Sequence, residues 1–304
     1  MLNVKKLAVL GIVLLVAGLA GIFFTKDSAK NVVNETRDLQ QNAFNNITVN
    51  TDNARVDIVA TKDVSPKVTL EGKQPSYHKQ DFSVNTQNGT LHINLKEKNT
   101  KLFNIDFDFF QKPLHLYVYL PEKKYKKLYV NGKNGRINIT SIQANDASVS
   151  SSNGRLTLDN LQSPKLNAET NNGRIHATNI HAAELRMASD NGNIELERAD
   201  TAEAKVESNN GRISLTAVEG EIVGKTDNGR ISLVTDQIDR PMDLTSHNGN
   251  IKISTKNKPK NALFDVEVHN GKASLYGSNK NTLIFGEGKN IIKLSTHNGK
   301  ITVD

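Results

Sequence analysis

Three histidines occupy the same place in a recurring motif: His247, His269 and His297 each stand immediately before an Asn-Gly pair. Brought into register, three imidazoles could offer nitrogen ligands to a transition-metal ion. The steps between them are unequal, 22 and 28 residues, and no acidic residue shares their position in these units. Turn positions also accept histidine freely, so the sequence assigns no metal site, and the spacing alone does not decide whether the row binds a metal.

A second series lies two residues after each Asn: Arg136, Arg155, Arg174, Asn193, Arg212, Arg230, Asn250, Lys272 and Lys300. Stacked, these residues form a basic ridge, with Arg136, Arg155, Arg174, Arg212, Arg230, Lys272 and Lys300 as a candidate anion-binding row. Guanidinium groups grip phosphate through two parallel hydrogen bonds, which suits arginine to this role. Like charges about 5 Å apart repel by only about 0.8 kcal/mol in bulk water, and Glu169, Glu195 and Glu207 are available to offset them. Two readings follow. One is a solvated face whose charge guards against lateral aggregation; the other is a linear site for a teichoic-acid-like polymer or lipid headgroups.

Catalysis has little to build on. Asp190, Asp227, Glu169 and Glu207 are scattered over corner and face positions, without the paired carboxylates that glycoside chemistry requires. There is no phosphate loop, dinucleotide fingerprint or zinc-hydrolase helix. The expectation is a protein that is not an enzyme, with no catalytic residues, no cofactor and no nucleic-acid partner. A polysaccharide-active enzyme on a β-helix, or an accessory or sensor subunit of a membrane partner, stands as the alternative.

The elements that position these rows are β-strands. Asn-Gly recurs at Asn88, Asn134, Asn153, Asn172, Asn191, Asn210, Asn228, Asn248, Asn270 and Asn298, with steps of 19, 19, 19, 19, 18, 20, 22 and 28 from Asn134 onward. Apolar or small residues alternate six and four places before each Asn, as in Leu166 and Ala168 or Leu185 and Met187, and restart three and five places after it, as in Ile194 and Leu196. That period of two marks strands with one buried face. Ser or Thr stands two before most of the Asn residues, and the Gly is expected to supply positive φ at the bend. Asn-Gly could be a two-residue hairpin turn or the corner of a solenoid layer. The constant period favours the latter: an all-β, parallel β-solenoid with layers of about nineteen residues, because like-on-like stacking requires a fixed repeat. The repeat does not disclose handedness or oligomeric state.

Composition agrees with an ordered β protein built on small aliphatic residues: 37% hydrophobic, 5% aromatic, no Trp and no Cys among 304 residues. The absence of cysteine excludes a disulfide framework and a thiolate metal site. A net charge of +7 favours anionic surfaces in general.

At the N-terminus, Lys5 and Lys6 precede an apolar run from Leu7 to Phe24, long enough as a helix to cross a bilayer. The organisation expected is a cytoplasmic tip and transmembrane anchor over 1–25, a polar stalk over 26–43, and a repeat domain over 44–304. Within that domain, 44–131 holds irregular first layers and a cap, and 132–304 the regular repeats. Gly18 and Ala20 leave a cleaved signal peptide as the alternative. Charge asymmetry would put the C-terminal domain outside the cell membrane. The stretch Leu102 to Phe110, with four Phe in nine residues, alternates like a strand and is expected to pack on the first layers.

The stretch Leu116-Tyr-Val-Tyr-Leu-Pro121, then Lys124-Tyr125-Lys126-Lys127-Leu128 and the Asn-Gly-Arg-Ile repeats, resembles the LiaG-type family of membrane-anchored bacterial β-strand repeat proteins over about Phe44 to Asp304. The resemblance implies a surface-facing, adhesin-like module of a Gram-positive cell envelope, linked to envelope stress. It carries no catalytic residues to transfer. The partners implied are the membrane, through residues 7–24, and an anionic cell-wall polymer or a membrane protein.

Overall fold

The computed structural model describes residues 30–40, 43–62, 65–75, 78–99 and 114–304. In chain order its strands are β1 (Lys30–Asp38), β2 (Asn46–Thr51), β3 (Arg55–Thr61), β4 (Lys67–Pro75), β5 (His78–Gln87), β6 (Thr90–Asn99), β7 (His115–Pro121), β8 (Lys124–Gly132), β9 (Ile137–Thr140), β10 (Gln143–Ser151) and β11 (Leu156–Gln162). They continue as β12 (Lys165–Thr170), β13 (Ile175–Ser189), β14 (Ile194–Ser208), β15 (Ile213–Thr226), β16 (Ile231–Thr235), β17 (Met242–Ser246), β18 (Ile251–Thr255), β19 (Ala262–Leu275), β20 (Thr282–Phe285) and β21 (Asn290–Val303).

Alternation dictates these strands. In β14, Ile194, Leu196, Ala199, Ala204 and Val206 are buried, while Glu195, Glu197 and Lys205 between them are partly exposed. Parallel neighbours repeat the pattern with like on like: Ile175 pairs with Ile194, and Ile194 with Ile213. Each layer is thin, so its apolar face is buried only by the layers on either side.

The expected parallel β-solenoid of serially stacked layers is corrected by the pairing. β15, β16, β18, β21 and β17 close on themselves as a five-strand parallel barrel, and further sheets flank it. The flanks contain antiparallel pairs: β1 with β4, β4 with β7, β5 with β6 and β19 with β20. Both ends also break serial order. β2 lies between β6 and β8, and β3 between β7 and β9. At the other end β21 lies between β17 and β18 on one side and β19 on the other. A parallel ladder demands matching alternation, not adjacency in sequence: Ile292, Leu294 and Thr296 fit between Met242, Leu244, Ser246 and Phe264, Val266, Val268.

The expected transmembrane helix has no counterpart among the described residues. Among the described residues there is no helix, and none long and apolar enough to cross a membrane; the anchor assigned to residues 7–24 lies outside them. The Phe-rich stretch 102–110 lies outside them as well. Within the stretch read as a polar stalk, Lys30–Asp38 is strand β1, paired antiparallel along β4 from Lys30↔Pro75 to Asp38↔Lys67.

The same dipeptide plays two parts. Asn88-Gly89 is a two-residue hairpin between β5 and β6, with φ of 51° and 70°, as a type I′ turn requires. The Asn-Gly pairs from Asn134 onward have no positive φ, so the expected role of their glycine is corrected. Left-handed backbone falls instead at a second corner seven residues on, at Ser141, Asn160, Asn179, Arg198 and Ala217.

Candidate functional site

The Asn-Gly edge is assembled from three interlocking rows. In the first, glycine packs on glycine: a Cβ on Gly192 would stand 1.6 Å from the carbonyl oxygen of Gly173, so the layers approach too closely for any side chain. In the second, the hydroxyl two places before most of these Asn residues clips its own turn and the neighbouring one. Gly173 N donates to Thr170 Oγ1 (3.1 Å), which donates to Gly154 O (3.2 Å); Ser189 and Ser208 repeat the arrangement. These hydroxyls are buried and fully partnered, which is why small hydroxyl residues occupy the position.

The third row is an amide ladder. Asn153 donates through Nδ2 to Asn134 Oδ1, and Asn172, Asn191, Asn210, Asn228 and Asn248 each donate to the Asn of the preceding layer at 2.7–2.9 Å. Asn298 then donates to Asn248, and Asn270 to Asn298. At the other end Asn134 donates to Asn53, so the degenerate corner Asn53-Ala54-Arg55 belongs to the row.

This frame sets the basic residues in file. Backbone bonds join successive layers at their position: Val56 N to Arg136 O, Ile137 N to Arg155 O, Leu156 N to Arg174 O, Ile175 N to Asn193 O, Ile194 N to Arg212 O and Ile213 N to Arg230 O. Ile231 N to Asn250 O continues the file, and Lys272 pairs with Lys300. Arg136, Arg155, Arg174, Arg212, Arg230, Lys272 and Lys300 are all exposed. At about 4.8 Å per layer, the row from Arg136 to Lys272 is about 38 Å long. The acids thought available to offset it are engaged elsewhere: Glu169 and Glu207 with Arg186, Glu207 also with Lys205, and Glu195 with His176. Sequence reading left Arg55 out of the row; its two-residue offset from Asn53 was the available signal. Arg55 is tied to Asp57 at 3.1 Å.

The three histidines do meet, in an order their numbering conceals. His297, on the inserted β21, lies between the other two, its ring 4.9 Å from that of His247 and 4.5 Å from that of His269, with interplanar angles of 2° and 12°. Stacked imidazoles direct their in-plane lone pairs side by side, so the row as it stands does not converge on one ion.

On the outward face beside the ridge, Asp57 accepts from Asn138 and Arg55 and is bonded to His115. Partial burial raises its carboxyl, but these bonds together with the Arg55 charge outweigh it and hold the pKa below the usual value. Three and four layers further along the same face, His176 Nδ1 lies 3.2 Å from Glu195 Oε2, and Glu197 is close by. The Leu116–Pro121 and Lys124–Leu128 signature has a structural basis: the buried Tyr125 hydroxyl donates to Pro121 O at 2.7 Å, and the ring stacks on Phe44.

Against known proteins, the family model described as Toastrack DUF4097 matches residues 44–304. No curated protein matches the chain. Among solved structures, the chain is similar to one described as a candidate adhesin from Parabacteroides distasonis ATCC 8503, at 9% identity over 90% of this chain and 98% of that one, with a TM-score of 0.53. It is also similar to one described as a candidate adhesin from Bacteroides fragilis NCTC 9343, at 14% identity over 91% and 99%, with a TM-score of 0.47. At these identities the first likeness speaks to fold alone.

Proposed function

We propose, from the premise that the chain belongs to the Toastrack DUF4097 family over residues 44–304, that it is a binding module of the cell envelope that lays an anionic polymer along its basic ridge. The observation that carries this is the file from Arg136 to Lys272. Seven exposed cations stand in register, while Glu169, Glu195 and Glu207 are tied to other side chains. A polymer with repeating phosphates meets such a row at many points, each weak in water and additive along its length. The adhesin description of the similar Parabacteroides distasonis structure supports an envelope setting for this reading.

The test is co-sedimentation of the full-length protein with purified cell wall, with and without its phosphate polymers, across a salt series. Binding should need the polymer, weaken as salt rises, and fall at least tenfold when Arg155, Arg174 and Arg212 are changed together to Gln. Absence of binding at low salt would sink the reading. Turnover of wall glycan abolished by carboxylate substitution would instead favour the enzyme alternative.

A further inference from the structure

We propose that His176, Glu195 and Glu197 form a binding site for a divalent metal ion of the Zn²⁺ or Mn²⁺ type. The three come from adjacent layers: His176 from β13, and Glu195 and Glu197, two residues apart and therefore on one face, from β14. Parallel register sets His176 directly beside Glu195. One ligand atom from each of the three lies within 4.8 Å of the others, and all three side chains are partly buried on the outward face.

The spacing already suits an ion. With metal–ligand bonds of about 2.1 Å, two ligands of one ion lie about 3.0 Å apart in octahedral and about 3.4 Å apart in tetrahedral coordination. His176 Nδ1 and Glu195 Oε2 are 3.2 Å apart. The other ring nitrogen has the orienting partner that metal-bound imidazoles generally possess: Nε2 lies 3.2 Å from Thr178 Oγ1, a hydroxyl that can accept its proton and leave Nδ1 free to ligate. Glu197 is steadied through Oε2 by Arg198 at 3.3 Å, and Arg198 in turn donates to Asn179 Oδ1.

A hydrogen bond to His176 accounts for one carboxylate and the Arg198 contact for one oxygen of the other. Two carboxylates within 4.8 Å repel by about 0.9 kcal/mol in bulk water, and more where partly shielded from it. A divalent ion removes that repulsion and adds a nitrogen ligand that carboxylates alone lack. The layer is also the one in which the file of arginines is interrupted, by Asn193 between Arg174 and Arg212. An ion here would neutralise the two carboxylates that stand beside that gap. With three protein ligands, the remaining positions fall to water or to an oxygen of a bound molecule.

The test is calorimetric titration of the chelator-treated full-length protein with Zn²⁺ and with Mn²⁺, alongside the visible spectrum of the Co²⁺ form. One ion per chain is expected. His176→Gln, Glu195→Gln and Glu197→Gln should each weaken binding at least tenfold and alter the Co²⁺ spectrum, with unchanged far-ultraviolet dichroism showing that the fold persists. A variant with His247, His269 and His297 all changed to Gln should still bind. Failure to bind any of the three ions at millimolar concentration would overturn the proposal, as would binding unaffected by Glu195→Gln and Glu197→Gln. Binding that disappears with the His247, His269 and His297 variant would also overturn it.

Discussion

Asn298 donates through Nδ2 to Oδ1 of Asn248 at 2.7 Å across fifty positions of sequence, and in turn accepts from Asn270. The C-terminal strand is thereby inserted into the stack rather than laid on its end. Deleting residues 290–304 should therefore strip β19 of its parallel partner along Ala262–Leu275 and leave β17 and β18 with an open edge. Limited proteolysis is expected to cleave within 256–289 while 137–226 stays protected. Equal protection of both regions would show that β21 does not hold the end together.

The amide ladder should respond to loss of a donor. Asn191→Asp keeps the size of the side chain but sets a carboxylate oxygen against Asn172 Oδ1, where Nδ2 now donates at 2.7 Å. The row is exposed, so the cost is modest, about 1 kcal/mol in urea denaturation. Asn88→Asp, at a left-handed hairpin position that aspartate tolerates, should cost less.

Two glycine substitutions should separate close packing from backbone strain. In Gly192→Ala the new methyl meets backbone 1.6 Å away, which no rotamer change relieves, and a loss of about 3 kcal/mol or more is expected. Gly277 has open space around it and a φ of +84°, so Gly277→Ala should cost about 1 kcal/mol. Equal losses in chemical denaturation would show that the layers can part more easily than the geometry indicates.

Acid should weaken the fold through Asp57. Its folded-state pKa is depressed, so the stability it contributes is fully present above the unfolded value of about 3.9 and is lost as pH falls through the lower folded value. Between pH 5 and pH 2 the wild type should lose stability more steeply than Asp57→Asn. Parallel curves in urea titrations over that range would refute the assignment.

Much of this architecture was legible in the alternation. Leu166, Ala168, Leu185 and Met187 announced an inward face, and the nineteen-residue step placed Ile175 on Ile194. What escaped was the identity of neighbours. A strand such as β21 carries the same alternation wherever it is inserted, so neither the 28-residue step nor the numbering of His269 and His297 discloses that β21 lies next to β17. The reason for each glycine also escaped, because a required positive φ and a required absence of Cβ select the same residue. His176, Glu195 and Glu197 were not grouped because a nineteen-residue separation becomes proximity only once parallel register is known. The family likeness read from Leu116–Pro121 and Lys124–Leu128 holds in the match to Toastrack DUF4097 over residues 44–304, and two of the residues that carry it, Tyr125 and Pro121, are bonded to each other.

The position of β21 also has a bearing on time. A ribosome releases β19 and β20 before β21, yet among the described strands β19 pairs with the rest of the stack through β21 alone. Those two strands must therefore wait with an unsatisfied edge until β21 arrives and wedges between them and β17. Such a chain closes late, by a long-range step slower than adding a layer to a growing end, and the waiting intermediate is where a chaperone or a protease would find it.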